Sequence, residues 1–268
     1  MALVVVLWLL VLLTVIAASH ARVVRTETRL ASNHVEAGKA RGLAEAGAYH
    51  AIIELLVRDA EQRWPVDGSV NRVHYDDGSV AIAIRDARGL VDINRAPAAM
   101  LDKIIAAAGM EQPQRKALVD ATLDWRDRDD LKHLNGAEDD DYRAAGLKWA
   151  ARDGPFRSIE EFRYVLGMTN ALFERLVPYL TVHSGQSGVK LEYAPSWLVN
   201  VLAEDQDITT TGFTTGASST YHITTWATSN GGSNASLDMV VLVTPTSPQA
   251  YRILSWRTPA RSIRRSTG

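Results

Sequence analysis

Cysteine is missing from all 268 residues, which excludes disulfides and thiolate-bound metal and removes the simplest sequence sign of an oxidising compartment. A surplus of charge is missing too. The formal net charge is −2 and the sequence pI is near 6.4, so no global field draws the chain to nucleic acid or to an anionic membrane surface. Proline is absent from Arg22 to Arg63, leaving no helix breaker across that stretch. His20, His34, His50, His74, His133, His183 and His222 stand at no metal-site spacing. There is no nucleophile elbow and no phosphate loop, so nothing marks an enzyme.

What is present begins with an apolar run, ALVVVLWLLVLLTVIAA, from Ala2 to Ala18. As a helix it is about 25 Å long, near the lower limit for a bilayer. A cleaved secretory signal is the rival reading, because small residues close the run, but no basic region precedes it. Helical pattern continues beyond it, with Ala44, Ala48, Ile52, Leu55 and Leu56 on one stripe, and it stops at Trp64-Pro65. A continuous helix would be about 95 Å long, with only its first third in lipid. The alternative is a short anchor followed by a separate core helix, since Gly38, Gly42 and Gly47 each weaken a helix by about 1 kcal/mol. Arg22, Arg25 and Arg29 follow the span, so the bare positive-inside rule would put the C-terminal part in the cytoplasm unless a basic leader has been removed.

After Pro65 the period changes to two. Val70–Tyr75 and Ser79–Arg85 flank Asp76-Asp77-Gly78, a hairpin signal. Helices follow over Ala98–Ala108, ending at Gly109, over Pro113–Trp125, over Ser158–Leu166 and over Asn170–Leu180. Ser158 with Glu161 has the spacing of a capping box. Tyr221–Ala227, Leu237–Val243 and Tyr251–Trp256 read as strands, with mobile loops expected over Thr209–Ser219 and Ser229–Ser236. The helical block is thus inserted between strands of one antiparallel sheet that packs on the N-terminal helix, an α+β class.

Carboxylates concentrate in one loop. Asp124, Asp127, Asp129 and Asp130 precede Glu138, Asp139, Asp140 and Asp141, with Gly136 between them. Hard oxygen donors at flexible spacing suit Ca²⁺, although the spacing is not that of an EF-hand. The plainer reading pairs some of these acids with Arg126, Arg128 and Lys132 and leaves water to solvate the rest.

At this point the residues match a family. MALVVVLWLL at Met1–Leu10, RTETRLASNHVEAGKARGL at Arg25–Leu43, GLVDINRAP at Gly89–Pro97, LDWRDRDD at Leu123–Asp130, NGAEDDDY at Asn135–Tyr142, PFRSIEEFRYVLGMTNALFERLVPYLTVHS at Pro155–Ser184 and the ending YRILSWR carry the resemblance. Over nearly its whole length the chain resembles the minor pseudopilin K family of type II secretion systems. The resemblance implies a pilin-like fold, a long N-terminal helix against an antiparallel sheet with a large all-α domain inserted between strands. On that reading residues 1–20 are transmembrane and 21–64 are the periplasmic part of the helix. Residues 65–94 begin the β-domain, 95–183 form the inserted α-domain, and 184–268 complete the β-domain and end in a basic tail.

The resemblance also implies a leader cut before the hydrophobic helix, which would resolve the orientation conflict and place a single-pass chain of the bacterial inner membrane with its globular part in the periplasm. Most pilin-like proteins carry a glutamate at the fifth mature position; here Val5 follows Met1. A helix without that carboxylate fits poorly beneath another subunit and suits the tip of a filament. The expected role is to start a pseudopilus with the I and J minor pseudopilins, supporting export of folded proteins and working with other pseudopilins and the inner-membrane assembly platform. A face through Ala44, Ala48, Ile52 and Leu55 is expected to meet partners. The resemblance adds structural calcium in the α-domain. One departure is Val189–Pro195, VKLEYAP, where the family has an asparagine-rich equivalent of Asp92-Ile93-Asn94.

The rival function is a membrane-tethered DNA receptor. Gly109-Met110 and Gly167-Met168 each separate short helices, and Pro155–Leu180 is similar to a helix-hairpin-helix unit. Phosphate binding needs lysine or arginine at the hairpin, whereas Leu166–Asn170 is neutral, so no nucleic acid is expected.

Overall fold

The computed structural model describes residues 1–57, 59, 62–203, 219–245 and 247–259, and for residues 18, 21–26 and 219 the backbone alone. The loop expected from Thr209 lies outside the described residues, as do residues 260–268 of the basic tail.

Helix α1 runs unbroken over Ala2–Leu56. It ends eight residues before the expected stop at Trp64, where Val57 turns extended. Its two halves meet different surroundings. Every described side chain from Met1 to Val35 is exposed, whereas Ala40, Ala44, Ala48, Ala51, Ile52 and Leu55 are buried, a run at three- and four-residue steps. Small side chains on this stripe let a sheet approach closely. Gly47 is part of the fit, because a Cβ there would come within 2.6 Å of Val80 Cγ1, while Gly38 and Gly42 have nothing within 4 Å. Among the described residues no helix is long and apolar enough to cross a membrane. The span expected over 1–20 therefore stays an expectation.

The sheet is antiparallel throughout, with the strands at 67–75, 78–86, 219–229, 234–243 and 251–257 side by side in that order. Strands β1 (Asp67–Tyr75) and β2 (Gly78–Asp86) form the expected hairpin, with Tyr75 opposite Gly78 and Asp76-Asp77 as a two-residue loop. Strands β5 (Ser219–Ser229), β6 (Asn234–Val243) and β7 (Tyr251–Arg257) complete it. Val80, Ile82, Ile84, Ile223, Leu237, Met239 and Val241 alternate onto the α1 side and form one core with its buried stripe. Thr225 sits among them because its hydroxyl donates to the Ala44 carbonyl at 3.0 Å. The expected mobile loop over Ser229–Ser236 is instead strand ends around a short turn, tied by Asn230 N–H to Asp77 O at 2.9 Å and by Asn230 Nδ2 to Asp76 O at 2.7 Å.

The helical block leaves the sheet after β2 and returns before β5, which are hydrogen-bonded neighbours with Asp86 opposite Tyr221. Its neck is a parallel pair, β3 (Val91–Asp92) beside β4 (Leu180–Thr181). Between them lie α2 (Ala98–Ala107), α3 (Gln114–Arg126), α4 (Asp139–Ala144) and α5 (Asn170–Leu176). Gly109, at φ 93°, ends α2: its N–H bonds to Ala106 O and that of Met110 to Ile105 O, satisfying two carbonyls that a helix end leaves free. Two expectations change here. The segment after Ser158 is a 3₁₀ turn over Ile159–Tyr164, and Ser158 makes no cap bond; Glu161 takes the Arg157 N–H and Arg152 instead. The helix after Asn170 stops at Leu176 and tightens into Val177–Tyr179, where Pro178 offers no N–H. Past β4, helix α6 (Ser196–Leu202), which the sequence reading did not anticipate, puts Leu198 and Leu202 into the helical core with Val189, Met100, Leu101, Ile104 and Phe162.

Candidate functional site

Asp124 is fully buried in the last turn of α3 and organises the acidic loop. Its Oδ1 accepts the backbone N–H of His133 at 3.1 Å and also meets the His133 ring at Nδ1, while Oδ2 accepts from Ala137 N–H at 2.7 Å. Gly136 is needed between them, since a Cβ there would run into the Asp124 carboxylate. The Asp124 carboxylate holds the His133 pKa above its ordinary value, its hydrogen bond to the ring being the main cause.

Around this anchor the remaining carboxylates are crowded and under-satisfied. Asp124, Asp127 and His133 each offer a ligand atom within 4.8 Å of the others. Asp127 Oδ1 and Glu138 Oε1 are buried and accept no hydrogen bond. Burial first, then repulsion from Asp124, Asp127, Asp153 and Asp130, pushes the Glu138 carboxyl up to about 7. Asp127 is raised by burial, then by Asp129 and Asp124, and Asp153 by burial, then by Asp139 and Asp130. Asp153 is held at φ 53°, a left-handed backbone that aspartate adopts more readily than most residues.

Not every expected ligand belongs to this group. Asp140 lies far out and pairs with Arg143, and Asp141 takes Lys132 at 2.7 Å while its other oxygen accepts the Glu138 N–H at 3.0 Å, starting α4. Asp129 accepts the Leu131 N–H at 3.0 Å. The expected pairing with basic residues therefore holds for Lys132 alone; Arg126 turns away to donate to Ile93 O and Ala96 O. Two members were missed. His133 lies nine residues beyond Asp124 with no motif to join them, and Asp153 stands outside the acidic run, flagged only by the turn residue Gly154 after it. Two orphaned carboxylate oxygens in a ring of hard donors fit a cation such as Ca²⁺, which takes six to eight oxygens.

The stripe expected to meet partners is occupied within the chain. Ala44, Ala48, Ile52 and Leu55 are at most 3% exposed against the sheet. A stripe of apolar residues on a helix is satisfied equally well by the chain's own sheet, and here the sheet covers it. The apolar side chains that α1 leaves open lie elsewhere, at Leu30, Val35, Tyr49 and Ile53 and over the whole of Met1–Leu13, Val5 included. The sheet is fastened to α1 where that exposed half begins: Glu36 accepts the Gly231 N–H at 2.9 Å, and Lys39 reaches Asp77 at 3.0 Å.

The segment Asp92-Ile93-Asn94 acts as a joint. Asn94 donates to Phe156 O at 3.0 Å and accepts Phe156 N–H at 2.7 Å, as a strand neighbour would. Asp92, 2% exposed, accepts Asn94 N–H, Gly185 N–H and the Ser184 hydroxyl. The divergent stretch Val189–Pro195 docks on the neck through Lys190 N–H to Arg88 O at 2.8 Å and Arg85 to Tyr193 O at 2.5 Å.

Residues 74–185 match the family model described as type II secretion system (T2SS), protein K, and residues 1–48 match the PilX N-terminal model. The chain is 30% identical over 156 residues to type II secretion system protein K of Klebsiella pneumoniae, covering 50% of this chain and 47% of that protein. It is 28% identical over 203 residues to the protein of the same name from Pectobacterium carotovorum subsp. carotovorum, covering 67% and 61%. The chain thus spans about half to three fifths of the length of these relatives. Among solved structures it is similar in fold to a chain of the GspK-GspI-GspJ complex from the type 2 secretion system of enterotoxigenic Escherichia coli. The TM-score is 0.60 at 14% identity, over 89% of this chain and 99% of that one.

Proposed function

Because the chain belongs to the type II secretion system protein K family, we propose that it is a non-enzymatic minor pseudopilin that starts a pseudopilus at its tip with the I and J minor pseudopilins. The observation that carries this reading is α1, clamped by its sheet from Ala40 onward and bare on every described side chain up to Val35. About 50 Å of apolar-headed helix standing clear of its own domain must find lipid or other helices. Its first part serves as a single-pass anchor in the inner membrane, with the sheet and the helical insert in the periplasm. Val5 brings no carboxylate into the helix bundle, so the subunit needs no neighbour above it, which suits the first position.

In the insert, calcium is held by Asp127 and Glu138 with Asp124 and Asp153 close by, and it supplies positive charge that offsets their repulsion. That role is structural: it keeps the loop between α3 and α4 in one arrangement. The hairpin at Gly167 does not favour DNA. Its nearest arginines are spent within the fold, Arg163 on Glu174, Asn170 and the Phe173 ring, and Arg175 on Ala108 O. The test is co-purification of the full chain in detergent with the I and J subunits, with and without chelator. A stoichiometric complex is expected. No complex under either condition, together with salt-sensitive DNA binding, would replace this reading with the tethered receptor.

A further inference from the structure

A cleft of about 580 Å³ opens between the helical insert and the outer face of the sheet. Arg95 reaches it from the turn before α2, Arg126 and Arg128 from the end of α3, and Arg252 from β7. Among the described residues Asp92 is the one carboxylate in its lining, and its oxygens are spent on Asn94, Gly185 and Ser184. His183 also lines it, but burial lowers its pKa, so it adds no charge at neutral pH.

Among the described residues four arginines therefore line the cleft beside one aspartate, in a chain whose net charge is −2. Arg126 is engaged by the carbonyls of Ile93 and Ala96. Arg95, Arg128 and Arg252 are exposed and form no ion pair or side-chain hydrogen bond with another described residue. Three elements distant in sequence thus bring three free planar forks to one place, and such forks match carboxylates two bonds at a time. Pro155, Val182 and Leu254 give the same cleft apolar walls. Its volume is that of a site for a peptide segment or similar ligand, larger than a single phosphate uses.

We infer that this cleft docks a short acidic segment of a partner protein, with at least two carboxylates on Arg95, Arg128 and Arg252 and an apolar side chain against Leu254. The inference does not depend on the minor pseudopilin role. It is tested with the full chain in detergent and a fluorescein-labelled nonapeptide of aspartate, glutamate and leucine, read by fluorescence anisotropy. Saturable binding is expected, weakened about tenfold or more in R95Q/R128Q/R252Q, and absent for the peptide with asparagine and glutamine in place of its acids. Single R252Q serves as the second variant, with a smaller loss in the same direction, and urea midpoints check that both remain folded. Equal binding by the triple variant, or no saturable binding to the parent chain, overturns the inference. Displacement by inorganic phosphate at equal concentration, with Leu254→Ala binding unchanged, would also overturn it in favour of a plain anion site.

Discussion

Where α1 meets the sheet, the core is made of alternating aliphatic side chains, whereas the inserted block, with an apolar core of its own around Leu101, Ile104 and Phe162, adds carboxylates taken out of water at its neck and its acidic loop. Asp92 holds its neck and Asp124 its acidic loop, both essentially buried and both saturated with hydrogen bonds from loop backbone. The first kind of core tolerates small changes of side chain in proportion to the area lost. The second fails all at once when one acceptor goes, because several N–H groups lose their partner together. The difference suits their surroundings: the sheet carries a long helix, while the insert has to hold a loop that repels itself.

The largest break in this comparison is expected at Asp124. Asp124→Ala removes the acceptor for His133 N–H, Ala137 N–H and the His133 ring, and it should cost about 3–5 kcal/mol in urea unfolding, beyond any relief of repulsion. It should also abolish stabilisation by calcium. Next comes Asn94→Ala, which leaves the Phe156 N–H and C=O without their partner and should cost about 2–3 kcal/mol, again by urea midpoint. If either change cost no more than an exposed substitution, the insert would not be held by polar joints. Smaller effects are expected where α1 meets the sheet. Gly47→Ala would press a Cβ on Val80 and lose about 1–3 kcal/mol, although alanine favours helix; Gly42→Ala, with open space, should gain up to about 1 kcal/mol.

Such contrasts explain what could be read from sequence. Periods of 3.6 and 2 reveal which residues share a face, so the stripe at Ala44, Ala48, Ile52 and Leu55 and the hairpin around Asp76-Asp77 were legible. Periodicity does not say what covers a face, and the same stripe was assigned to partners when the chain's own sheet covers it. In the insert, joints depend on single side chains meeting loop backbone across the fold. Asn94 on Phe156 and His133 on Asp124 leave no periodic trace. The carboxylate richness of the loop was visible, but its division was not. Asp140 and Asp141 are paired with Arg143 and Lys132, while Glu138, at the start of the same run, is half-buried with its Oε1 covered and without a partner.

The smallest expected effect is also the one that separates proton from metal. Glu138 is raised from 4.5 to about 7, and His133 is raised by Asp124. Both groups hold their proton more tightly folded than unfolded, so each adds stability that is complete below its unfolded pKa and is lost as pH rises through the folded value. In chelator, the insert should therefore become less stable between pH 4.5 and about 7 for Glu138, and again above pH 6.5 as His133 gives up its proton. Solvent screening of a partly exposed loop limits the Glu138 contribution to about 1 kcal/mol. Calcium reverses the slope, because a divalent ion binds the carboxylates only after they have lost their protons. Thermal melts at pH 5 and pH 7.5, with EGTA and with calcium, should show the melting temperature falling with pH in the first case and holding or rising in the second. Parallel curves in the two conditions would mean that the acids are solvated individually, and the contrast between the aliphatic core at α1 and the buried acids of the insert would then rest on Asp92 and Asp124 alone.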